Sequence, residues 1–101
     1  MNVALGPVGQ RITAKLMAEL RPERLEVIDE SHLHEGHAGS HPSGESHFRV
    51  RITAQAFAGE GRVVRHRMIN RILAEDLVNR VHALAIEAYA PGERDGGSKP
   101  G

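Results

Sequence analysis

The chain has 101 residues, enough for one small domain of two packed layers. Thirteen basic side chains balance thirteen acidic ones, which argues against non-specific nucleic-acid binding by the whole surface but leaves room for a local basic patch. Cysteine is absent, which excludes disulfides, thiol catalysis and any Cys-based metal site within the chain.

No apolar run approaches the roughly 18 residues of a membrane span. The N-terminal MNVALGPVGQ lacks the basic region and apolar core of a signal peptide. A cytoplasmic setting is therefore expected. Histidine is the outlier: of seven copies, five fall between Ser31 and His47.

Residues 1–7 read as a flexible N-terminus. Pro7 suits the first turn of a helix, because its fixed φ matches the helical value. Val8, Ile12, Leu16 and Leu20 then recur every four residues, which predicts a helix over 8–20 with Arg11, Lys15 and Glu19 facing water. Arg21–Pro22 ends it, since the residue before proline is pushed out of the α region. Residues 24–30 read as a short strand with Leu25 and Val27 inward.

Ser31 to Ser46 carries three glycines, one proline, four serines and four histidines; this composition predicts a long loop. From His47 the pattern alternates over 47–55. Phe48, Val50, Ile52 and Ala54 are inward; Arg49, Arg51 and Thr53 are outward. This strand should pair antiparallel with the first. Phe57–Gly61 reads as a turn, and Arg62–Arg65 leads into a helix over 66–80. Met68, Ile69, Ile72, Leu73 and Leu77 share its apolar face. Arg67, Asn70, Arg71, Glu75 and Asn79 fall on the other side, with Asp76 four residues before Arg80 as a helical charge pair.

After Arg80 the period changes to two. Residues 82–89 read as a strand, apolar throughout except His82 and Glu87, covered on one face and well protected on the other. Residues 92–101 are polar and Gly-rich and read as a disordered tail. The strand–helix–strand passage should make its two strands parallel. The expected architecture is an α+β domain over 8–91 with a three-stranded mixed sheet and helices on one face. Its core should contain Phe48, Val50, Ile52, Ile69, Leu73, Leu77, Leu84 and Ile86.

ESHFRV at 45–50, RHRMIN at 65–70, LAEDL at 73–77 and VHALAI at 81–86 resemble the BolA family, as does DES at 29–31. The resemblance spans about residues 8–90 and is specific in the order HFRV, RHR, VHAL. It implies a type II KH-like α-β-β-α-β fold. It also implies partnership with a monothiol glutaredoxin, sharing a [2Fe–2S] cluster with glutathione as a further thiol, and a role in iron–sulfur trafficking, iron or redox regulation and stress response. A second implied activity is DNA binding and transcriptional regulation through the region around the last helix. The resemblance places the cluster ligands at His82, in VHAL, and at His34, in the loop after the first strand. His37 is the alternative to His34.

Imidazole nitrogen is a good ligand for iron, and two histidines on one iron of a [2Fe–2S] unit occur in Rieske centres. A chain without thiolates supplies only part of a cluster's ligands. None is expected to be bound by the isolated chain, which is expected to be a monomer. Against the metal reading, His82 could be a strand-end histidine bonded to a carbonyl, and the loop histidines a solvated polar surface. His47 and His66 read as structural.

Arg62, Arg65, Arg67 and Arg71 form the local basic cluster and are the candidates for phosphate contacts. The opposing reading pairs the basic side chains with Glu26, Glu60 and Glu75. Gly59-Glu60-Gly61 is not the GxxG loop with which KH domains clamp RNA, and the few aromatic residues, Phe48, Phe57 and Tyr89, leave little for base stacking. No pair of carboxylates, nucleophile elbow or phosphate-binding glycine loop stands out, so no catalysis is expected.

Overall fold

The computed structural model describes residues 5–31, 47–79, 81 and 83–93. Helix α1 spans Pro7–Leu20, with Pro7 in its first turn and extended Gly6 before it. Val8, Ile12 and Leu16 are its buried stripe. It closes at Arg21, whose backbone is left-handed at φ 44° and whose N–H donates to the Met17 carbonyl at 3.1 Å. That is a helix C-cap built without glycine, and the proline that follows cannot continue the helix.

Strands β1 (Arg24–Asp29), β2 (His47–Thr53) and β3 (Ala83–Tyr89) form one sheet in the order β1-β2-β3. β1 runs antiparallel to β2, and β3 runs parallel to it. The mixed sheet, with its helices against one face, is the architecture that the hydrophobic periods predict. β2 lies at the centre. Phe48, Val50 and Ile52 alternate onto the helix side and are at most 2% exposed. Arg49 and Arg51 alternate onto the open side.

Several local expectations are corrected. The second helix begins at Arg62, not at 66, and is divided into α2 (Arg62–Ile72) and α3 (Ala74–Asn79). Leu73 departs from helical backbone at φ −101°, ψ 12°. The chain stays connected through the bend: the Leu73 N–H donates to Ile69 and the Leu77 N–H to Leu73, both at 3.0 Å. The period of the apolar residues carries across this bend, so the pattern alone does not reveal it.

β2 ends at Thr53, and a 3-10 turn at Gln55–Phe57 follows. This turn returns Phe57 to the core, where it is fully buried; reading it as a turn residue missed that. Thr53, placed outward by alternation, is 7% exposed, because in the central strand it has Arg24 and Tyr89 as register neighbours on either side.

Strand β3 is less protected than its composition suggests. None of its residues is fully buried, since it is an edge strand with one neighbour. Leu77, Leu84 and Ile86 accordingly pack against the core from its margin. The buried set is completed by Val8, Ile12, Leu16, Ala54, Phe57, Val81 and Ala90. Gly92 and Glu93 continue beyond the last strand, and residues 94–101 lie outside the described residues.

Burial separates the effects of truncation. Leu73→Ala should cost about 2–5 kcal/mol and Phe57→Ala about 3–5 kcal/mol, through lost transfer energy and the cavity left behind. Val78→Ala, at a side chain 83% exposed, should stay within about 0.5 kcal/mol. Urea denaturation midpoints at unchanged m-value would check all three.

Candidate functional site

The sequence DES at 29–31 builds the corner where β1 ends. The Ser31 N–H donates to Asp29 Oδ1 at 2.9 Å, an Asx turn. The Glu30 N–H donates to the His47 carbonyl at 2.8 Å, and the His47 N–H donates to Ser31 Oγ at 3.2 Å. Ser31 is 7% exposed. His47 in turn is the register partner of Ala83. The end of β1, the start of β2 and the start of β3 therefore lie at one end of the sheet.

Both histidine-bearing segments are bordered by this end. His34 and its alternative His37 lie outside the described residues, as do His32, His41 and His82. The described residues that border them are Ser31 and His47 on the loop side, and Val81 and Ala83 on the strand side. Val81 is 4% exposed, and its N–H donates to the Asp76 carbonyl at 3.0 Å. Among the described residues no group of three His, Asp or Glu side chains could hold a metal ion. With no cysteine, the chain has no thiolate to offer, and its residues would fit a [2Fe–2S] cluster only in part, with sulfur supplied from elsewhere.

Asp76 makes a contact that the sequence reading does not include. It is turned inward with its side chain 2% exposed, and it holds α1. The Arg11 Nε donates to its Oδ1 at 2.7 Å and the Lys15 Nζ to its Oδ2 at 2.8 Å. Glu75 approaches Lys15 at 3.7 Å. Arg80, the expected partner, lies outside the described residues. Burial pushes the Asp76 carboxyl up, but the bonds from Lys15 and Arg11 outweigh it and hold the group below the usual carboxylate value. The spacing of Arg11 and Lys15, four apart beside the apolar stripe of α1, was the available signal.

The open face of the sheet carries a ladder of alternating charge. Arg49 bridges Glu30 at 2.9 Å and Glu87 at 2.8 Å. Arg51 approaches Glu87 at 3.3 Å and Glu26 at 3.4 Å. Burial raises the Glu87 carboxyl, while Arg49 and Arg51 draw it lower still, to a net value below its usual one.

The basic cluster divides in two. The Arg65 guanidinium grips Glu93 with two bonds, at 2.7 and 2.9 Å, and also donates to the Glu60 and Ala88 carbonyls at 2.8 and 3.0 Å. Its side chain is 12% exposed. Glu93, read as part of a tail, is thus a structural partner; it also accepts the Ala90 N–H at 2.9 Å. Arg62, Arg67 and Arg71 are exposed along α2. His66 lies half-buried between them, and burial, with Arg62 nearby, lowers its pKa. Phe48 and Phe57 are buried, and Tyr89 is half-buried with its hydroxyl at 3.4 Å from Glu87. No fully exposed aromatic ring occurs among the described residues.

Among the described residues no helix is long and apolar enough to cross a membrane. The family described as BolA-like protein matches residues 16–93. A protein in the cobS 5′ region of a Sinorhizobium species is 55% identical over 85 residues, covering 83% of this chain and 91% of that protein. The DNA-binding transcriptional regulator BolA of Vibrio cholerae is 46% identical over 82 residues, covering 81% of this chain and 74% of that one. Among solved structures, the BolA domain of SufE1 from Arabidopsis thaliana superposes with a TM-score of 0.80 at 46% identity, covering 87% of this chain and 96% of that domain. The chain spans 26% of the whole SufE-like protein 1 of that plant.

The depressed carboxyls of Asp76 and Glu87 predict an acid-labile fold. A carboxyl held below its unfolded value adds stability that is complete above that value and is lost as pH falls through the folded one. Unfolding free energy should therefore drop below about pH 4, and the drop should be shallower in Asp76→Asn. Urea titrations between neutral and acid pH would measure both slopes.

Proposed function

The chain belongs to the BolA-like family, and on that premise we propose that it is a non-catalytic partner of a monothiol glutaredoxin, sharing a [2Fe–2S] cluster in iron–sulfur trafficking or iron and redox regulation. The observation that carries this reading is the meeting of Ser31, His47 and Ala83 at one end of the sheet. These residues border the histidine-rich loop and the VHAL histidine, in a chain with no thiolate of its own.

The cluster is cargo in this reading, and its iron accepts imidazole nitrogen. His82 supplies one donor from the entry to β3. His34, or His37 in its place, supplies the other from the loop. The partner's cysteine and glutathione supply sulfur. What the chain itself contributes is placement. The Asp29–Ser31 turn and the Ser31–His47 bond hold the base of the loop against the sheet. The pairing of His47 with Ala83 holds the other ligand segment beside it.

A second reading, DNA-binding regulation, has its own support. The relatives from Vibrio cholerae and Escherichia coli are named DNA-binding transcriptional regulators, and Arg62, Arg67 and Arg71 line the exposed side of α2. Arg65 suits phosphate less well, because contact would require release of Glu93. In this reading Arg67→Ala lowers the salt slope of duplex binding by about one unit, and Arg65→Ala changes it less. A labelled duplex titrated at several ionic strengths would check this, and equal slopes for Arg67→Ala and wild type would refute it.

For the cluster reading, mixing with a cluster-loaded glutaredoxin should produce visible absorption and circular dichroism distinct from the glutaredoxin homodimer. His82→Ala should abolish or destabilise that species, and His41→Ala should leave it intact. A His82→Ala spectrum identical to wild type would remove His82 from the ligand set.

A further inference from the structure

The segment that leads into β3 is held from an unexpected direction. α3 has six residues, too few to be stable as an isolated helix in water. Its attachment comes from Leu73 on one side and from Asp76 on the other. Through its side chain Asp76 is bonded to Arg11 and Lys15 of α1. Through its carbonyl it accepts the N–H of Val81, five residues on, closing the end of α3. Val81 is itself part of the core. Two residues later Ala83 enters the parallel ladder opposite His47.

We propose that Asp76 is a positioning residue: by tying the entry to β3 onto α1, it sets the backbone on either side of position 82 and so the placement of the ligand there. The inference rests on the reading of His82 as a ligand. A buried ion pair is a poor device for stability alone, since well-packed apolar residues of like volume often serve as well or better. Its value lies in direction. Arg11 and Lys15 are successive turns of a rigid helix, and each reaches a different oxygen of the carboxylate, so the two bonds fix its orientation as well as its distance. A ligand shared with a second protein needs such fixing, because an error of about half an ångström in its backbone weakens the site. At the base of the loop Ser31 is bonded to His47. The residues flanking position 82 are held by the sheet at Ala83 and by the Asp76 carbonyl at Val81.

The test uses the full chain and a glutaredoxin loaded with a [2Fe–2S] cluster, with Asp76→Ala, the milder Asp76→Asn, and Val27→Ala as a control for lost stability in β1. Two quantities are read: the amide exchange rate of Val81 relative to Ile52, and the stability of the mixed species by visible circular dichroism. Asp76→Ala should speed Val81 exchange selectively and weaken the mixed species by about ten- to a hundredfold, the range over which outer contacts tune metal ligands. Asp76→Asn, which retains an acceptor, should fall between, and it serves alone if Asp76→Ala does not fold. Val27→Ala should leave both readings near wild type. Unchanged Val81 exchange would overturn the inference, as would a loosened Val81 with an undiminished mixed species. His82→Ala judges the ligand reading separately: if that variant matches wild type while Val81 exchange still depends on Asp76, the ligand assignment fails and the tether remains.

Discussion

Everything in this domain is registered on β2. It is the strand with a neighbour on both sides, antiparallel β1 and parallel β3. It supplies Phe48, Val50 and Ile52 to the core, each almost wholly buried. Because its side chains alternate with period two, a slip of one residue would turn those three to solvent and Arg49 and Arg51 inward. The hydrophobic effect therefore fixes register here strongly, at about 25 cal/mol per Å² of apolar area withdrawn from water. The pairing of β2 with β3 is what brings His47 opposite Ala83, and the pairing with β1 is what brings Ser31 back to His47. The candidate site is a consequence of that shared register.

Charge does different work on the two sides of the sheet. On the open face the Glu30–Arg49–Glu87–Arg51–Glu26 ladder is half-exposed. Pairs of this kind contribute little each and weaken with salt. They keep a polar face on the sheet and place opposite charges across neighbouring strands. Asp76 is different. It is buried, and its two cationic partners come from an element more than sixty residues away in sequence. Screening reaches its carboxylate less than it reaches the exposed pairs, and removal of both partners would leave a buried charge uncompensated. It is a buried polar link between the first helix and the last stretch of chain before β3.

The arginines of α2 show why a basic cluster in a sequence is not yet a binding surface. Arg65 belongs to the structure: Glu93 and the Ala88 carbonyl occupy its guanidinium. Arg62, Arg67 and Arg71 project from the same helix without that engagement. Neighbours three and four apart on a helix can thus differ in role according to what the rest of the chain lays beside them. Arg65 also satisfies a backbone carbonyl of edge strand β3, that of Ala88.

Much of this was legible in the sequence. The four-residue recurrence of Val8, Ile12 and Leu16, the alternation of Phe48, Val50 and Ile52, and the change of period after Arg80 each follow from a local geometric repeat, and each marks its element. The order of elements then left few topologies, and the motifs HFRV, RHR and VHAL carried the family. Tertiary structure alone decided what local repeats do not encode. The bend at Leu73 preserves the apolar period, so no pattern registers it. Phe57 is buried because a 3-10 turn folds it back beneath the sheet. Asp76 reaches Arg11 and Lys15 of α1, which no local repeat announces, because an ion pair is chosen by proximity in space and by burial. Glu93 became Arg65's partner for the same reason. Periodicity reports which side of an element is apolar; which distant element meets it, and with which charge, depends on packing the whole chain.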